Sequence, residues 1–275
     1  YNLSYFFSQF LDIEFNSNDK DEVWRQNFVS IFVSMTHTKS LSKLATFLQI
    51  LYKALACFFI VTFLWVLALK WISPPITFMM VKRKISAFFD GSSTKIHYTF
   101  VAYTKISANA KYAVMASEDQ KFPFHHGFDF DAIEDAMAHN KKSKKKHGAS
   151  TISQQVAKNV FLWDGRNFVR KGLEAYFTLL IELIWGKERI LEVYLNVAEM
   201  GPMTFGIFEA SKKYYKKSAQ WLSAEEAASI AAVLPNPVLF KVKSPTKFIL
   251  RRKAWIMVQI PVLKQKKYLT HISKT

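Results

Sequence analysis

Two adjacent carboxylates open the segment EDQKFPFHHGFD, which occupies residues 118–129. Glu118 and Asp119 are followed in the same segment by the aromatic ring of Phe122 and the imidazole of His125. A carboxylate in a partly apolar cleft is suited to general acid–base chemistry, because it can take a proton from a bound hydroxyl. A metal site at His125 is disfavoured, since no second histidine lies at a helical ligand spacing. The segment is typical of a turn between two helices, and it concentrates ionisable and aromatic side chains in that turn.

A second segment, GASTISQQVAKN at residues 148–159, has the pattern of an amphipathic helix that begins near Ser150. Its apolar positions recur every four residues and predict a buried face: Ile152, Val156 and Val160. The opposite face would present the hydroxyl of Ser150, the amide of Gln154 and the ammonium of Lys158. Two interpretations stay open, an ordinary surface helix and a helix that presents polar groups to a ligand.

A third segment, RNFVRKGLE at residues 166–174, gathers cations around one acid. Arg166, Arg170 and Lys171 are the cations, and Glu174 follows Arg170 at the i+4 position. One interpretation is an exposed ion pair that contributes little to stability. The other is a phosphate site beside a carboxylate, in which arginine makes bidentate contacts.

The charge balance of the 275-residue chain favours an anionic partner. Lysine and arginine number 38 against 21 acidic residues, which gives a formal net charge of +17. Nucleic acid, anionic lipid and a phosphorylated substrate all fit such an excess. No nucleic-acid-binding motif accompanies the charge, and the Lys-rich run at 139–147 is typical of a solvated loop. The single cysteine, Cys57, excludes a disulfide framework and a cysteine-based zinc site within one chain.

The run ALACFFIVTFLWVLAL at residues 54–69 contains no charged residue. Extended to residues 51–72, it has about 22 residues and spans roughly 33 Å as a helix, enough to cross a hydrocarbon core of about 30 Å. A buried core helix is the alternative, although core helices rarely stay apolar on all sides over this length. Basic residues are nearly balanced on its two sides, so the charge rule fixes no orientation. We predict a single transmembrane helix at residues 51–72.

From about residue 100 onward the sequence indicates helices. Ser223 and Glu226 have the capping-box pattern at the start of an alanine-rich helix. Long amphipathic helices are predicted over residues 170–185 and 187–198, with Gly186 between them. No alternating run is long enough to predict a large sheet. The predicted fold class is mainly α, and residues 1–50 form an N-terminal extension to which we assign no role.

These segments, in this order, resemble the motifs of the glycosyltransferase family 51 domain, and most closely its monofunctional biosynthetic peptidoglycan transglycosylases. The first and second motifs are similar to residues 118–129 and 148–159, and the third, R-K-x-x-E, is similar to residues 170–174. A fourth motif is similar to KERILEVYLN at residues 187–196. The resemblance covers about residues 74–260, and four ordered motifs are far more specific than one. It implies a glycosyltransferase domain over residues 73–275, with a lysozyme-like large lobe and a small hydrophobic lobe that leans into the membrane.

The resemblance implies polymerisation of lipid II into β-1,4-linked glycan with release of undecaprenyl diphosphate. Glu118 is then the general base for the acceptor hydroxyl, and Glu174 orients the cations or the leaving group. Lys158 and Arg166 neutralise the diphosphate, with help from Arg170 and Lys171. The remaining substrate-binding positions that the motifs imply are Asp119, Phe122, His125, Ser150, Gln154, Gln155 and Asn159.

The same resemblance implies a single-pass protein of the bacterial inner membrane with its catalytic domain on the periplasmic side. No cofactor is required, and a divalent cation, Mg²⁺ or Mn²⁺, is compatible with the diphosphate. The expected partners are lipid II, the growing glycan, membrane lipids, and transpeptidases or division proteins, with no nucleic acid. No penicillin-binding domain is expected after residue 260, so cross-linking would come from those partners.

Two other functions are weighed against this one. A lysozyme-like glycan-cleaving enzyme also uses carboxylates but needs no diphosphate clamp, so Lys158 and Arg166 favour the synthase. A non-catalytic scaffold would be indicated by loss of Glu118 or Lys158, and both are present.

Overall fold

The computed structural model describes residues 19–143, 148–165 and 167–273. Arg166 therefore lies outside the described residues. Helices dominate, as predicted, and in chain order they are α1 (Asp19–Leu69), α2 (Phe78–Phe89), α3 (Ala108–Glu118), α4 (Phe130–Lys142), α5 (Ile152–Phe161), α6 (Phe168–Ile184), α7 (Gly186–Val197), α8 (Ile207–Tyr215), α9 (Ala224–Ala232), α10 (Lys247–Gln265) and α11 (Tyr268–Ile272). The described residues also include short 3₁₀ helices at Tyr103–Lys105 and Ala219–Trp221, and the strands β1 (His97–Tyr98), β2 (Glu199–Gly201) and β3 (Thr204–Phe205).

Within α1, the stretch Ser42–Leu69 is the one part of the described chain that is long and apolar enough to cross a membrane. Most of its side chains are exposed, which argues against a buried core helix. The stretch begins at Ser42 rather than at residue 51, and it ends at Leu69 rather than at residue 72. The prediction of one apolar helix of membrane-spanning length is confirmed, with shifted ends.

The chain divides into two compact units, Tyr1–Thr62 and Phe63–Thr275. In the first unit, the Thr62 hydroxyl donates to the carbonyl of Phe58 at 2.8 Å, one turn earlier in α1. The rings of Phe58 and Phe59 lie edge to face with centroids 5.4 Å apart. The second unit contains every other element named above. The predicted divisions at residues 50 and 72 stay predictions.

The last residues of α1 are packed into the second unit. Trp65 lies edge to face with Phe161 and Phe177, with ring centroids 5.1 and 6.4 Å apart. Val66 is fully buried, and the indole N–H of Trp185 donates to its carbonyl at 2.8 Å. Each such aromatic pair stabilises the fold by about 0.5–1.5 kcal/mol in addition to the stabilisation from the apolar area that it buries. The end of α1 is therefore held by both packing and hydrogen bonding.

Arg189 on α7 closes the C-terminal end of α1. Its Nη2 donates to the carbonyls of Leu69 at 2.9 Å and Ile72 at 3.0 Å, while its Nη1 donates to Glu192 at 2.5 Å. The last carbonyls of a helix lack partners within the helix, and they form the negative end of its dipole. The guanidinium satisfies carbonyls at this end and places a positive charge beside it.

A buried helix, α3, lies at the centre of the second unit. Every residue from Ala110 to Ala116 is buried, and α7, α9 and α10 pack against this helix. Its alanine side chains are small, so neighbouring helices approach closely on all sides. Glu118 is the last residue of α3, and the predicted base therefore stands at the end of a rigid element.

The three strands form one small sheet in the order β1–β3–β2, with β1 parallel and β2 antiparallel to β3. Asn196, fully buried near the end of α7, binds both backbone groups of Val101, accepting at 2.8 Å and donating at 2.9 Å. The prediction that no large sheet occurs is confirmed for the residues that the structure describes.

Local signals predicted the helix ends well. The Ser223–Glu226 capping box is present at the start of α9. Gly186 follows Trp185, the residue that caps the end of α6, and has a φ of 75°, a conformation that favours glycine. α6 begins at Phe168 rather than at residue 170, because the Asn167 side chain caps it by accepting from the Arg170 N–H at 2.7 Å.

Replacing Arg189 by glutamine is expected to lower the free energy of unfolding by about 2 kcal/mol, because helix-end carbonyls lose a charged donor. Thermal or chemical unfolding of the detergent-solubilised protein measures the change. Arg251→Gln, at an exposed arginine of α10, is the matched control and is expected to stay within about 0.5 kcal/mol of the parent. Equal stability of the two variants would contradict the capping role.

Candidate active site

The Glu118 carboxylate is held by three side chains. The Ser117 hydroxyl lies 2.8 Å from Oε1, and the Gln155 amide donates to Oε2 at 3.2 Å. Arg252 places Nη2 3.7 Å from Oε1, which is a charge contact longer than a hydrogen bond. The Glu118 side chain is 13% exposed, so it is largely enclosed and still reachable from solvent. An enclosed carboxylate with free acceptor capacity is suited to take a proton.

Tyr194 fixes the orientation of the Gln155 amide. Tyr194 is buried, and burial raises the pKa of its phenol well above the ordinary value, so the hydroxyl keeps its proton. That hydroxyl donates to Gln155 Oε1 at 3.2 Å, which turns the Gln155 Nε2 toward Glu118. The amide therefore has one arrangement that satisfies both neighbours.

Only two residues of α5 are not buried, Gln155 and Lys158. They stand three residues apart and thus lie on one face of the helix, about 5–6 Å apart at their Cβ atoms. The predicted buried face of Ile152, Val156 and Val160 is confirmed. This helix therefore presents one amide and one ammonium, and the amide already binds Glu118.

The predicted open face of α5 was partly wrong at Gln154. This residue is buried, and its Oε1 accepts from the Thr151 N–H at 3.1 Å while the Thr151 hydroxyl accepts from the Gln154 N–H at 3.2 Å. The pair is a capping box that begins the helix at Ile152. Ser150 lies before the cap and is exposed. Because the helix begins later than predicted, Gln154 is occupied by the cap.

The turn after α3 is built around the buried carboxylate of Asp119. His125 Nδ1 accepts from the Gly127 N–H at 3.1 Å, so Nε2 carries the ring proton and donates to Asp119 Oδ2 at 2.9 Å. The same Oδ2 accepts from the Ile152 N–H at 2.9 Å. Asp119 therefore joins the first motif to the N-terminal end of α5, where a negative charge is favourable.

Gly127 closes this turn against α6. Its φ is 92°, and a Cβ there would lie 2.8 Å from the Thr178 methyl. Its carbonyl accepts from the Thr151 hydroxyl at 2.7 Å. Asp119, His125 and Gly127 thus hold the turn by direct contacts within the protein.

The third motif forms a largely buried ion group on α6. Glu174 Oε2 accepts from Arg170 at 2.6 Å, and its Oε1 accepts from Lys171 at 2.5 Å. Arg170 and Glu174 are buried, whereas the Lys171 side chain is half exposed. The alternative of an exposed ion pair is therefore wrong for Arg170 and Glu174. The group contains two cations and one carboxylate, so its net charge is +1. Lys171 is its solvent-exposed member.

Lys158 lies near a second group of charged side chains, formed by Lys82 and Asp164. Lys82 of α2 pairs with Asp164, and this hydrogen bond is the main cause that lowers the pKa of Asp164, with Lys158 adding to the effect. The described residues contain no hydrogen-bond partner or ion pair within contact distance of the Lys158 ammonium. Lys158 therefore keeps its donors available. Its predicted neighbour Arg166 lies outside the described part of the chain.

Phe122 lies in the core. It is fully buried, and the Lys187 ammonium stands 4.6 Å from its ring centroid. Lys187 donates to Glu182 at 2.7 Å, and the Ser153 hydroxyl donates to the same Glu182 oxygen at 2.5 Å. Burial lowers the pKa of Lys187, and the Glu182 charge opposes that shift. This buried pair ties α5, α6 and α7 together behind the site.

The substrate-binding roles predicted for these residues stay predictions, and the structure gives their surroundings. Gln155 and Lys158 lie on the open face, and Ser150 is exposed nearby in the chain. Asn159 is buried, and its Oδ1 has no hydrogen-bond partner among the described residues. Phe122, Asp119, His125 and Gln154 are enclosed by protein contacts.

Sequence reasoning missed three residues that contact the Glu118 group. Ser117 directly precedes the base, Tyr194 belongs to the fourth motif, and Arg252 lies in RRKAWIM at residues 251–257. Arg252 donates to the Ser117 hydroxyl at 2.8 Å and to the Ala232 carbonyl at 3.2 Å. No spacing signal in the sequence links residue 252 to residue 118. Only the packing of α10 on α3 brings them together.

The described residues contain no cluster of three or more His, Cys, Asp or Glu side chains able to hold a metal ion. A held carboxylate, an available lysine on the helix that binds this carboxylate, and a basic ion group are the side chains that an enzyme transferring a proton near an anionic group would use.

Comparison with known proteins agrees with this class. The family model described as Transglycosylase matches residues 83–260. The biosynthetic peptidoglycan transglycosylase of Pseudomonas syringae pv. syringae is 46% identical over 232 residues, which cover 84% of this chain and 98% of that protein. The proteins of the same name from Xanthomonas oryzae pv. oryzae (51% over 205 residues, 74% of this chain and 84% of that protein) and Pasteurella multocida (45% over 214 residues, 78% and 87%) are also similar.

The chain belongs to the transglycosylase family. The predicted enzyme class, a peptidoglycan glycosyltransferase acting in cell wall synthesis, is confirmed. One apolar helix of membrane-spanning length agrees with a membrane-anchored member of this class.

Replacing Gly127 by alanine is expected to lower the free energy of unfolding by about 3 kcal/mol, since the new Cβ meets a fixed methyl at a positive φ. Thr178 is fully buried, and its hydroxyl is bonded to the Glu174 carbonyl at 2.7 Å, so the methyl cannot turn away. Unfolding of the purified protein measures the effect.

Gly172→Ala is the matched control. A Cβ at Gly172 meets nothing within 4 Å, and the residue lies inside α6, so alanine is expected to stabilise by about 0.5–1 kcal/mol. Loss of stability in both variants alike would contradict the steric argument at Gly127.

Proposed function

We propose that this chain polymerises lipid II, a disaccharide-pentapeptide joined through a diphosphate to a polyprenyl tail, into β-1,4-linked glycan. The observation that carries the proposal is the carboxylate of Glu118 bonded to Gln155 of α5, with the available ammonium of Lys158 three residues further along the same face. The reaction needs a base for a hydroxyl and a cation for a departing diphosphate. Gln155, which binds the base, and the cation Lys158 stand within one turn of α5.

Glu118 acts as the general base. It takes the proton of the acceptor 4-hydroxyl while that oxygen forms a bond to C1 of the donor sugar. The bond between C1 and the diphosphate oxygen breaks, and undecaprenyl diphosphate leaves with the electron pair. The proton then passes from Glu118 to solvent, which restores the carboxylate for the next addition. Gln155 holds the carboxylate in position through its hydrogen bond to Oε2.

Lys158 and Arg166 neutralise the diphosphate as the bond breaks, and preorganised charge of this kind is effective in an enclosed site. The half-exposed ammonium of Lys171 also contributes positive charge to this neutralisation. Arg170 is buried and contributes its charge from the interior of the protein. Glu174 orients both cations through its two oxygens. The predicted subsite residues Ser150, Gln155 and Asn159 shape the surroundings of the sugar and the phosphate, whereas Gln154 is held in the capping box that begins α5.

The competing glycan-cleaving reaction has less support. Retaining and inverting glycosidases use a pair of carboxylates about 5–9.5 Å apart across the scissile bond. In this site the acid of the third motif, Glu174, is buried, and both of its carboxylate oxygens accept hydrogen bonds from cations of the protein. Product analysis separates the two reactions, since a synthase lengthens glycan and a hydrolase shortens it.

The same proposal implies a cellular location, protein partners and a cofactor requirement for the reaction. The substrate's polyprenyl tail requires a membrane, and we propose the bacterial inner membrane with the catalytic domain on the periplasmic side. Transpeptidases or division proteins are the proposed protein partners. No cofactor is required, and a divalent cation, Mg²⁺ or Mn²⁺, would accompany the diphosphate rather than a ligand cage of this chain.

Replacing Glu118 by glutamine is expected to slow lipid II polymerisation at least about 100-fold, because the amide cannot take the proton. Glycan length on gels, with the purified full chain in detergent, is the measurement. Glu134→Gln, at an exposed acid of α4, is the control and should retain parental activity. A Glu118→Gln protein with full activity would overturn the assignment of the base, and no product from folded parent protein would favour the scaffold.

Replacing Lys158 by glutamine is expected to reduce kcat about 100- to 1,000-fold, the effect of removing one preorganised donor at a charge that develops in the transition state. Lys264→Gln, at an exposed lysine of α10, is the control. Parallel assays in EDTA and in added Mg²⁺ test the metal: the parent protein is expected to be slowed but active in EDTA. Complete loss that only Mg²⁺ restores would contradict side-chain neutralisation of the diphosphate.

A further inference from the structure

We propose that Ser117 is a positioning residue that holds both Glu118 and Arg252 and follows the protonation state of the base. The inference rests on the proposed function, because it assigns to Glu118 the role of general base. It concerns a residue that lies outside the four motifs and that directly precedes the base in the chain.

The Ser117 hydroxyl is a junction of three helices. It belongs to α3, it accepts from Arg252 of α10 at 2.8 Å, and it lies 3.0 Å from the Ala231 carbonyl near the end of α9. Its third neighbour is Glu118 Oε1 at 2.8 Å. One oxygen atom therefore contacts the base, the guanidinium beside the base and the backbone of a packed helix.

A count of hydrogens shows that this junction has two states. A serine hydroxyl has one hydrogen to donate and two lone pairs that accept. Arg252 fills one lone pair, and two acceptors, Glu118 Oε1 and the Ala231 carbonyl, compete for the single hydrogen. The hydroxyl hydrogen can therefore point to only one of them at a time.

The charge on Glu118 decides between the two states. With the carboxylate ionised, the hydrogen points to Oε1, since a hydrogen bond to a charged acceptor is the stronger one. When Oε1 takes the proton of the acceptor hydroxyl, the Ser117 hydrogen turns to the Ala231 carbonyl. The second lone pair of Ser117 then accepts from the new Glu118 O–H. The proton of Ser117 stays on Ser117 throughout, and the substrate's proton stays on Glu118 until it passes to solvent.

This rotation keeps Glu118 Oε1 hydrogen-bonded to Ser117 in both protonation states without movement of heavy atoms, and the Ala231 carbonyl also accepts from the Leu234 N–H at 3.3 Å. Arg252 keeps its bonds to Ser117 and to the Ala232 carbonyl in either state, so its charge stays beside the base. Removal of the Ser117 hydroxyl would take one donor from the ionised base. The carboxylate would then take up a proton at a higher pH than in the parent protein.

The test is the pH dependence of lipid II polymerisation by the full chain in detergent, with Ser117→Ala beside the parent protein. The acid limb of the kcat profile is expected to move to higher pH by about one unit, since a hydrogen bond to a charged group is of this size. At pH values below the midpoint of the parental acid limb, kcat should fall about tenfold, with KM for lipid II within about twofold of the parent. Ser117→Thr, which keeps a hydroxyl, should restore the position of the limb.

Ser211→Ala is the matched control for a structural effect. Ser211 is fully buried on α8, and its hydroxyl donates to the Lys217 carbonyl at 2.7 Å, so its loss removes a serine bond away from the base. This variant should keep the parental pH profile. If Ser117→Ala does not fold, Ser117→Cys provides the same test, because a thiol fills similar space and donates weakly.

A Ser117→Ala profile that superimposes on the parental profile overturns the inference, even at a lower rate, because a purely structural loss lowers the rate without moving the limb. A shift that Ser211→Ala shares also overturns it. Failure of the proposed function is distinct, since it appears as absence of polymer from the folded parent protein.

Discussion

The buried carboxylate of Asp119 is the constraint on which the site depends. It accepts from His125 on one side and from the backbone N–H of Ile152 on the other, so one side chain sets both the turn after α3 and the start of α5. Glu118 precedes it directly, and Gln155 lies one turn into α5. The distance between the base and the open face of α5 therefore follows from a single buried anion. A shift of this carboxylate would misplace both groups together.

Around Asp119, the site is supported by ion pairs whose opposite charges compensate each other within the protein. Arg170 and Glu174 are buried and paired, and Lys187 and Glu182 form a second buried pair behind Phe122. Breaking one member of such a pair leaves an uncompensated buried charge, which costs about 3–5 kcal/mol. These residues stabilise the site's geometry, whereas Lys158 and Lys171 retain the exposure needed to meet an anion.

Most of the fold could be predicted from the sequence because its signals are local. The apolar run of α1, the capping box of α9 and the buried face of α5 each depend on spacing within one helix. Gln154 shows where a local argument fails, since a start later by two residues moved it from the open face into a cap. Arg252 and Tyr194 could not be assigned because their contacts with Ser117 and Gln155 arise only when distant helices pack.

The alanine-rich interior of α3 restricts how this protein can change over evolution. Ala110, Ala113 and Ala116 are buried with α7, α9 and α10 packed around the helix, so any added methylene must displace a neighbour. Substitution at these three positions is thus confined to side chains of nearly equal volume, and this restriction falls on the helix that ends in the base.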